Sequence, residues 1–268
     1  ATDNLEGDDS RVIMDRAIDF VRRSHKKKRP FFMVVWFHAP HWPVVASEKY
    51  SATYASHGDF AKNYYGCIAA LDNEIGRLRA TLKELKVEGD TMVWFSSDNG
   101  PEGSPKTGVG RTNGLRGRKR SLYEGGVRVP GLLVWPRGAG VTPRRLSTPC
   151  STSDYLPTIV EALGLERSTD HPLDGTSLLP LISKKHWTRD APIGFHSGRR
   201  GSVVRSEYKL VRDNKNKDWE LYNLSSDPSE SKNLATEKPK LVAELKSWYR
   251  RWRASCQASA EGKDYGSP

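Results

Sequence analysis

Hydrophobic side chains recur every three or four residues in several parts of the chain, which is the pattern of helices that bury one face. The first predicted helix follows the N-cap residue types at 8–10, and the second covers 59–88. A basic helix is predicted over 239–254, and two shorter helices over 154–163 and 176–183. The apolar runs between these helices are too short and too continuous to continue the helical pattern.

Three of those short apolar runs predict strands. Residues 31–37 are seven consecutive apolar residues, typical of a parallel strand that is covered on both faces. Residues 91–95 and 132–135 form the second and third runs, and turn residues follow each of them. Because the helix over 59–88 connects the first two strands, we predict a right-handed βαβ crossover in a parallel sheet.

The sequence after residue 190 predicts a different kind of sheet. Short alternating runs are separated there by polar turns, which is typical of a small antiparallel sheet. The predicted fold class is therefore α/β, with a mostly parallel sheet flanked by helices and a small C-terminal antiparallel sheet plus helix. We expect an α/β portion over 1–188, the antiparallel-sheet-plus-helix subdomain over 189–255, and a disordered tail over 256–268. The alternating runs are 202–205, 208–212 and 219–223.

The composition is that of a globular chain with a strong positive charge. The 268 residues are 36% hydrophobic and 28% charged, and no apolar run approaches the ~20 residues of a membrane helix. The net charge of +11 favours partners that carry phosphate, sulfate or other anionic groups, nucleic acid among them. Cys67, Cys150 and Cys256 are odd in number and show neither a disulfide framework nor zinc-site spacing.

Polar side chains follow the first two predicted strands. His38 and His41 come after the first strand, in a proline-rich loop, and Asp98 and Asn99 come after the second. Ligands bind at the carboxyl ends of strands in open α/β sheets, so we expect both pairs at one edge. The side-chain oxygens of Asp98 and Asn99 suit Ca²⁺ or Mg²⁺. The alternatives are a capped turn for Asp98 and Asn99 and a structural role for the histidines.

A basic cluster follows the second strand, within and after a glycine-rich loop over 103–117. Its side chains suit the oxygens of a tetrahedral anion and the charge that develops on them. The alternative is an exposed basic loop without a function. The basic residues over 22–29 are similarly either a solvated helix end, the favoured interpretation, or a nuclear-localisation or nucleic-acid patch. The cluster comprises Arg111, Arg116, Arg118, Lys119 and Arg120.

Seven short motifs in the chain have an order and spacing that resemble those of a known family. The chain resembles a sulfatase of the alkaline phosphatase superfamily, specifically the carboxy-terminal portion of an arylsulfatase-type sequence, from about residue 6 to residue 233. The motifs are Phe-His-Ala-Pro-His-Trp-Pro at 37–43, Leu-Asp-Asn-Glu-Ile-Gly at 71–76, Ser-Ser-Asp-Asn-Gly-Pro at 96–101, Gly-Arg-Lys at 117–119, Tyr-Glu-Gly-Gly-Val-Arg at 123–128, Leu-Asp-Gly at 173–175 and Trp-Glu-Leu-Tyr-Asn at 219–223.

The resemblance implies a role for five residues. Asp98 and Asn99 match the late pair of ligands to an active-site calcium, for which Mg²⁺ is the less favoured alternative. Lys119 matches the lysine that holds a sulfate oxygen. His41 matches the histidine that contacts the sulfate ester and protonates the leaving oxygen, and His38 is a looser match that is expected to contact substrate. The implied substrate is a sulfated small molecule or a sulfated carbohydrate.

One departure from the family pattern concerns the nucleophile. Family members carry a Cys- or Ser-x-Pro-x-Arg motif whose first residue becomes formylglycine, whereas the three cysteines here are followed by Ile-Ala, Ser-Thr and Gln-Ala. The early aspartate pair on the same calcium is not matched either, because Asp8 and Asp9 precede a helix that they are predicted to cap. We therefore expect a fragment or one piece of a cleaved enzyme, inactive alone, whose missing N-terminal part supplies the formylglycine and is itself a partner.

The sequence thus predicts a sulfuric ester hydrolase, with an extracytoplasmic location favoured by the resemblance alone. The alternatives are a phosphodiester or phosphonate hydrolase of the same superfamily, a relative that has lost catalysis, and a basic polyanion-binding module. No membrane partner is expected, and nucleic acid is disfavoured because no motif interleaves basic with aromatic residues. His196 and Arg199 are candidates for the leaving-group pocket, with a surface loop as the favoured alternative.

Overall fold

A computed structural model describes most of the chain, which divides into two compact units. The described ranges are 3–103, 109–138, 143–167, 171–183, 187–213 and 218–264. The first unit contains Ala1–Val93, Glu102–Arg111 and Leu133–Gly138, and the second contains Trp94–Pro101, Thr112–Leu132 and Ala139–Pro268. The predicted boundary between residues 188 and 189 therefore lies inside the second unit.

Three helices form most of the first unit: α1 (Asp9–Lys26), the single-turn α2 (Glu48–Ser51) and α3 (Asp59–Glu84). The two long helices pack together around fully or almost fully buried side chains, Met14 of α1 and Leu82 of α3 among them. The helical spacing of apolar residues therefore predicts both helices correctly, because their buried faces are continuous. Single 3₁₀ turns lie at Ala52–Tyr54, Glu88–Asp90 and Thr152–Asp154.

The apolar segment 31–37 forms neither a helix nor a strand and joins no sheet in the described part of the chain. Its odd-numbered side chains pack partly buried against the core of α1 and α3, whereas Phe32, Val34 and Trp36 are 72%, 59% and 85% exposed. The prediction of a strand covered on both faces is wrong for this segment, and the βαβ crossover is not formed among the described residues. A run of apolar residues does not specify which faces are covered, and a strand needs a hydrogen-bonded neighbour.

A two-stranded sheet pairs β1 (Val93–Ser96) with β2 (Gly131–Val134). Both strands overlap the apolar runs that predict them. The single helical turn α4 (Glu124–Val127) lies ahead of β2. Since β1 ends at Ser96, the residues that follow it lie just past the carboxyl end of a strand.

The second unit contains the helices α5 (Tyr155–Ala162), α6 (Leu179–Ser183) and α7 (Pro239–Ala260). It also contains four antiparallel strands, each paired with the next in chain order. Helix α7 packs on this sheet through Leu245 and Tyr249, which share a buried cluster with side chains of the three strands nearest the C-terminus. The strands are β3 (Ile193–Ser197), β4 (Arg200–Arg205), β5 (Tyr208–Arg212) and β6 (Glu220–Asn223).

The mixed α/β class with a C-terminal antiparallel sheet plus helix is confirmed. Strand β3 was not predicted from the sequence, and only two of its five residues, at 193 and 195, are large and apolar. Helix α7 continues to Ala260, so residues 256–260, assigned by sequence to a disordered tail, are helical, and residues 265–268 lie outside the described residues. Within the described ranges, none of the helices is long and apolar enough to cross a membrane.

Candidate functional site

The turn after β1 places Asp98 and Asn99 on the wall of a cavity of about 240 Å³ in the second unit. The Asp98 carboxylate is exposed. The Asn99 amide nitrogen donates to the carbonyl oxygen of Gly100 at 3.0 Å, and the Ser97 hydroxyl donates to the Asn99 carbonyl oxygen at 2.9 Å. Because the amide nitrogen is engaged, the Asn99 side chain presents its oxygen as the group for a ligand.

This turn is held by backbone contacts with two other glycine-containing loops. The Gly100 N–H donates to the Gly126 carbonyl oxygen at 2.8 Å, and the Gly125 N–H donates to the Arg116 carbonyl oxygen at 2.7 Å. A Cβ atom at Gly100 would collide with the carbonyl oxygen of Gly125. The Lys119 N–H donates to the carbonyl oxygen of Pro101 at 3.4 Å, which ties the lysine loop to the same turn. Close backbone approach is therefore the reason that glycine occupies these positions.

A buried ion network lies behind these loops. The Lys209 ammonium of β5 is 0% exposed; it donates to Glu124 Oε1 at 2.8 Å and lies 3.0 Å from Glu230 Oε1. The other Glu230 oxygen accepts from the backbone N–H of Glu124 at 2.6 Å. Burial raises the pKa of the Glu230 carboxyl, and the nearby Lys209 ammonium opposes that rise. The network fixes the first residue of α4 to β5, and thereby the glycine turn that contacts Gly100.

The residues of the basic cluster lie in different surroundings: some contact other protein groups, and one lines the cavity. Arg116 stacks on the ring of Tyr123 at 3.7 Å and donates to the Tyr222 hydroxyl at 2.9 Å and to Glu220 at 3.3 Å. These contacts give Arg116 a structural role, and anion binding by the rest of the cluster stays a prediction. Arg120 lies on the cavity wall, whereas the half-buried Lys119 is outside that lining.

The histidine motif lies in the first unit, on a second cavity of about 350 Å³. The rings of His38 and His41 are 5.1 Å apart, and His38 Nδ1 lies 3.6 Å from a carboxylate oxygen of Asp9. His41 Nδ1 lies 2.8 Å from the carbonyl oxygen of Trp42. Since a carbonyl can only accept, Nδ1 carries the proton and Nε2 is the nitrogen available for proton transfer.

Asp8 lies on the wall of the same cavity but does not cap α1 with its side chain. Its carboxylate accepts from the Ser47 N–H at 3.0 Å and from the Ser47 hydroxyl at 2.6 Å. The predicted capping role is therefore wrong for this side chain, because a tertiary partner replaces the helix N–H groups. Cys67 also lines the cavity, and burial, reinforced by Asp9 and Asp8, raises the pKa of its thiol to about 11.

The predicted site residues thus fall in two groups. His38 and His41 belong to the first unit, and Asp98, Asn99 and Lys119 to the second. Their convergence on one pocket stays a prediction. Among the described residues, no three His, Cys, Asp or Glu side chains are grouped as a metal site, so Asp98 and Asn99 fit a hard cation by their chemistry but supply only part of its ligands.

On the β3–β4 hairpin, the favoured alternative for the two candidates, a position on the surface, is confirmed. His196 is exposed and its Nδ1 lies 2.7 Å from the Tyr249 hydroxyl, and Arg199 is exposed in the turn. Neither lines the cavity with Asp98; their neighbours Phe195, Ser197 and Arg200 do. Sequence reasoning missed them because it did not predict β3, whose pairing of Ser197 with Arg200 fixes which side chains reach the cavity.

Two family models match the chain. The model described as Sulfatase matches residues 2–165, and the model described as N-sulphoglucosamine sulphohydrolase, C-terminal, matches residues 117–254. The first match includes the histidine motif, Asp98, Asn99 and Lys119. The second includes the antiparallel sheet and most of α7.

This chain matches only part of the length of the similar proteins and structures. N-acetylgalactosamine-6-sulfatase from Sus scrofa is 29% identical over 231 residues, which are 84% of this chain and 42% of that protein. Steryl-sulfatase from Homo sapiens is 32% identical over 187 residues, which are 67% of this chain and 30% of that protein. The crystal structure of Ps i-CgsB in complex with k-i-k-neocarrahexaose has a TM-score of 0.81 at 26% identity, covering 96% of this chain and 61% of that one. The chain thus spans less than half the length of the two curated relatives.

Proposed function

We propose, from the premise that this chain belongs to the sulfatase family, that it forms the anion-binding and leaving-group part of a sulfuric ester hydrolase. The observation that carries the proposal is the turn after β1, where Asp98 and Asn99 line a cavity and the backbone of Lys119 is hydrogen-bonded to the same turn. Hard oxygen donors and a lysine are the groups that a calcium ion and a sulfate oxygen require.

The proposal gives a role to each of the five candidate site residues. Asp98 and Asn99 would hold a calcium ion, which would supply positive charge against the sulfate oxygens. The Lys119 ammonium holds one of those oxygens. The Nδ1–H of His41 donates to the Trp42 carbonyl oxygen. In its doubly protonated form His41 gives the Nε2 proton to the leaving oxygen, so that the alcohol departs neutral and a neutral imidazole remains. His38 contacts the substrate beside it.

We assign the nucleophile, a formylglycine, to a part of the enzyme outside these residues, because no cysteine or serine of the sequence begins a Cys- or Ser-x-Pro-x-Arg motif. The substrate we propose is a sulfated carbohydrate. Support comes from the similarity to N-acetylgalactosamine-6-sulfatase and to the carbohydrate complex of Ps i-CgsB. The strong positive charge of the chain suits an anionic saccharide as well.

Sulfate release by the full-length natural enzyme that contains this chain tests the proposal, with N-acetylgalactosamine 6-sulfate as substrate. Lys119→Ala should lower kcat/KM by at least about 10²-fold, the scale of losing one group that stabilises transition-state charge. The matched control is Lys232→Ala, an exposed lysine paired with Glu237 at 3.3 Å. Faster hydrolysis of a phosphodiester than of any sulfate ester would show the other activity of the superfamily instead.

The proposed role of His41 as a general acid can be tested separately from that of Lys119. A sugar alcohol needs a proton to leave, whereas 4-nitrocatechol leaves readily without one. His41→Gln should therefore slow the sugar sulfate much more than the nitrocatechol sulfate, and His57→Gln, at an exposed histidine, should slow neither. Equal losses for both substrates would rule out proton donation by His41.

A further inference from the structure

The cavity beside Asp98 and Asn99 contains an arginine that the proposed reaction does not use. Arg200, the first residue of β4, lies on the cavity wall with both of them. Its Nε atom is buried and has no hydrogen-bond partner in the part of the chain that the structure describes. A guanidinium N–H removed from water without an acceptor is costly, and an anionic oxygen from a ligand would satisfy it.

Other arginines of the second unit are engaged by protein groups. Arg189 forms two hydrogen bonds to the Asp154 carboxylate at 2.7 and 2.9 Å, and Arg205 donates to Glu244 at 2.6 Å. Arg116 is engaged by Tyr222 and Glu220 as described above. Arg200 differs from these three because it lines the cavity beside Asp98 and is paired with no carboxylate among the described residues.

The backbone that carries Arg200 is rigid. The residue pairs with Ser197 in the β3–β4 register, and the next residue, Gly201, is so close to the Tyr249 ring that a Cβ there would lie 2.5 Å from the hydroxyl oxygen. Residues 201–204 of β4 are buried. The Arg200 side chain therefore starts from a fixed position, which lowers the entropic cost of holding a ligand.

We propose that Arg200 forms a subsite for a second anionic group of the substrate, a sulfate or a carboxylate on the saccharide whose scissile sulfate lies at Asp98 and Asn99. This subsite rests on the proposed function and narrows it to saccharides with more than one anionic group. The ring of Phe195 and the hydroxyl of Ser197 lie on the same wall and offer an apolar surface and a polar group to the sugar. A substrate with a single sulfate leaves the guanidinium without its partner.

Binding to the 268-residue chain, measured by NMR titration, tests this subsite without requiring turnover. The probes are N-acetylgalactosamine 6-sulfate, N-acetylgalactosamine 4,6-disulfate, and a 6-sulfated disaccharide that carries a uronate carboxylate. We expect a probe that satisfies Arg200 to bind about tenfold or more tightly than the monosulfate, as a charge-assisted hydrogen bond does. Preference for the disulfate identifies a sulfate in the subsite, and preference for the uronate probe identifies a carboxylate.

Variants of the two neighbouring arginines show which residue is responsible for the binding preference. Arg200→Gln should remove the preference, Arg200→Lys should retain part of it, and Arg199→Gln, at the exposed neighbouring arginine, should leave it intact. Equal binding of all probes to the natural chain, no binding of any, or an equal loss in Arg199→Gln would overturn the subsite. Failure of the proposed function is distinguished from this, since it appears as absence of sulfate release by the full-length enzyme whatever the binding preference.

Discussion

The ammonium nitrogen of Lys209 lies 2.8 Å from Oε1 of Glu124, and both side chains are removed from solvent. Lys209 belongs to β5 and Glu124 begins α4, so the pair connects the antiparallel sheet to the glycine turn. That turn accepts a hydrogen bond from Gly100, directly after Asp98 and Asn99. The candidate metal ligands are therefore positioned by an ion network whose residues do not line their cavity.

Replacing Lys209 by methionine should destabilise the chain by about 3–5 kcal/mol at neutral pH, because it leaves the buried carboxylates of Glu124 and Glu230 without a counter-ion. Urea unfolding followed by circular dichroism measures the change. The loss should shrink as the pH falls, since a carboxyl whose pKa burial raises takes up a proton readily. Lys232→Met is the control, at an exposed ion pair worth about 1 kcal/mol or less. A loss in Lys209→Met no larger than the control would contradict the network's role.

Gly100→Ala should cost about 1–3 kcal/mol, because the new methyl group would meet the carbonyl oxygen of Gly125, a backbone atom that cannot move away freely. It should also shift the NMR resonances of Asp98 and Asn99, since the turn must move to relieve the collision. Gly131→Ala is the matched control, because a Cβ at Gly131 has nothing within 4 Å. Equal stability of the two variants would show that the turn is not tightly held.

The sequence predicts the helices and the strand ends that carry the candidate residues, because these depend on local periodicity and on turn chemistry. Helix α3 shows this: its apolar spacing marks one continuous buried face from Asp59 to Glu84. The run ending before Asp98 is similarly marked by β-branched and aromatic residues followed by a turn. The roles of Asp98, Asn99, Lys119 and His41 come from the family resemblance rather than from these patterns.

Local sequence patterns do not show which residues distant in the chain contact one another. Segment 31–37 is uniformly apolar in sequence, yet it is covered on one face, because coverage depends on which elements pack against it. Arg116 is indistinguishable by sequence from the other basic residues of its loop, and its role follows from Tyr123 and Glu220. One sequence feature did indicate the buried ion network: Lys209 is a charged residue within a run of strand-forming residues.

Alkylation of Cys67 should be slow at neutral pH and should accelerate strongly in alkali. Its thiol pKa is raised to about 11 by burial and by Asp9 and Asp8, so the reactive thiolate is about 0.1% of the population at pH 8. The rate with iodoacetamide should rise about tenfold per pH unit up to pH ~10. Mass spectrometry of a Cys150→Ser, Cys256→Ser variant isolates this thiol.

The urea-unfolded form of the same variant provides the reference rate for Cys67. Its thiol has an ordinary pKa, so it should react about a hundredfold faster than the native thiol at pH 8. The raised pKa of the Cys67 thiol also makes the stability of the fold depend on pH. Its contribution to the free energy of unfolding is present at neutral pH and is lost as the pH rises through about 11. Equal native and unfolded rates would place Cys67 in an open, solvated position.

The isolated chain should not hydrolyse an aryl sulfate, because the proposed nucleophile belongs to another part of the enzyme. Release of 4-nitrocatechol from its sulfate by the purified chain measures this. Turnover that disappears in Lys119→Ala would mean that this chain contains a nucleophile of its own. Turnover that Lys119→Ala leaves unchanged would point to a contaminating enzyme.

Calcium should bind the isolated chain weakly, in the millimolar range, because Asp98 and Asn99 offer two oxygen ligands where calcium takes about six to eight. Isothermal titration calorimetry measures the affinity, and Asp98→Asn should weaken it further by removing the only carboxylate of the pair. Asp190→Asn, at an exposed aspartate, is the control. Magnesium should bind no more tightly, since it demands octahedral geometry that two side chains do not impose. Micromolar calcium affinity that depends on Asp98 would show that the described residues complete the site by themselves, and the division of the metal ligands between two parts of the enzyme would then be wrong.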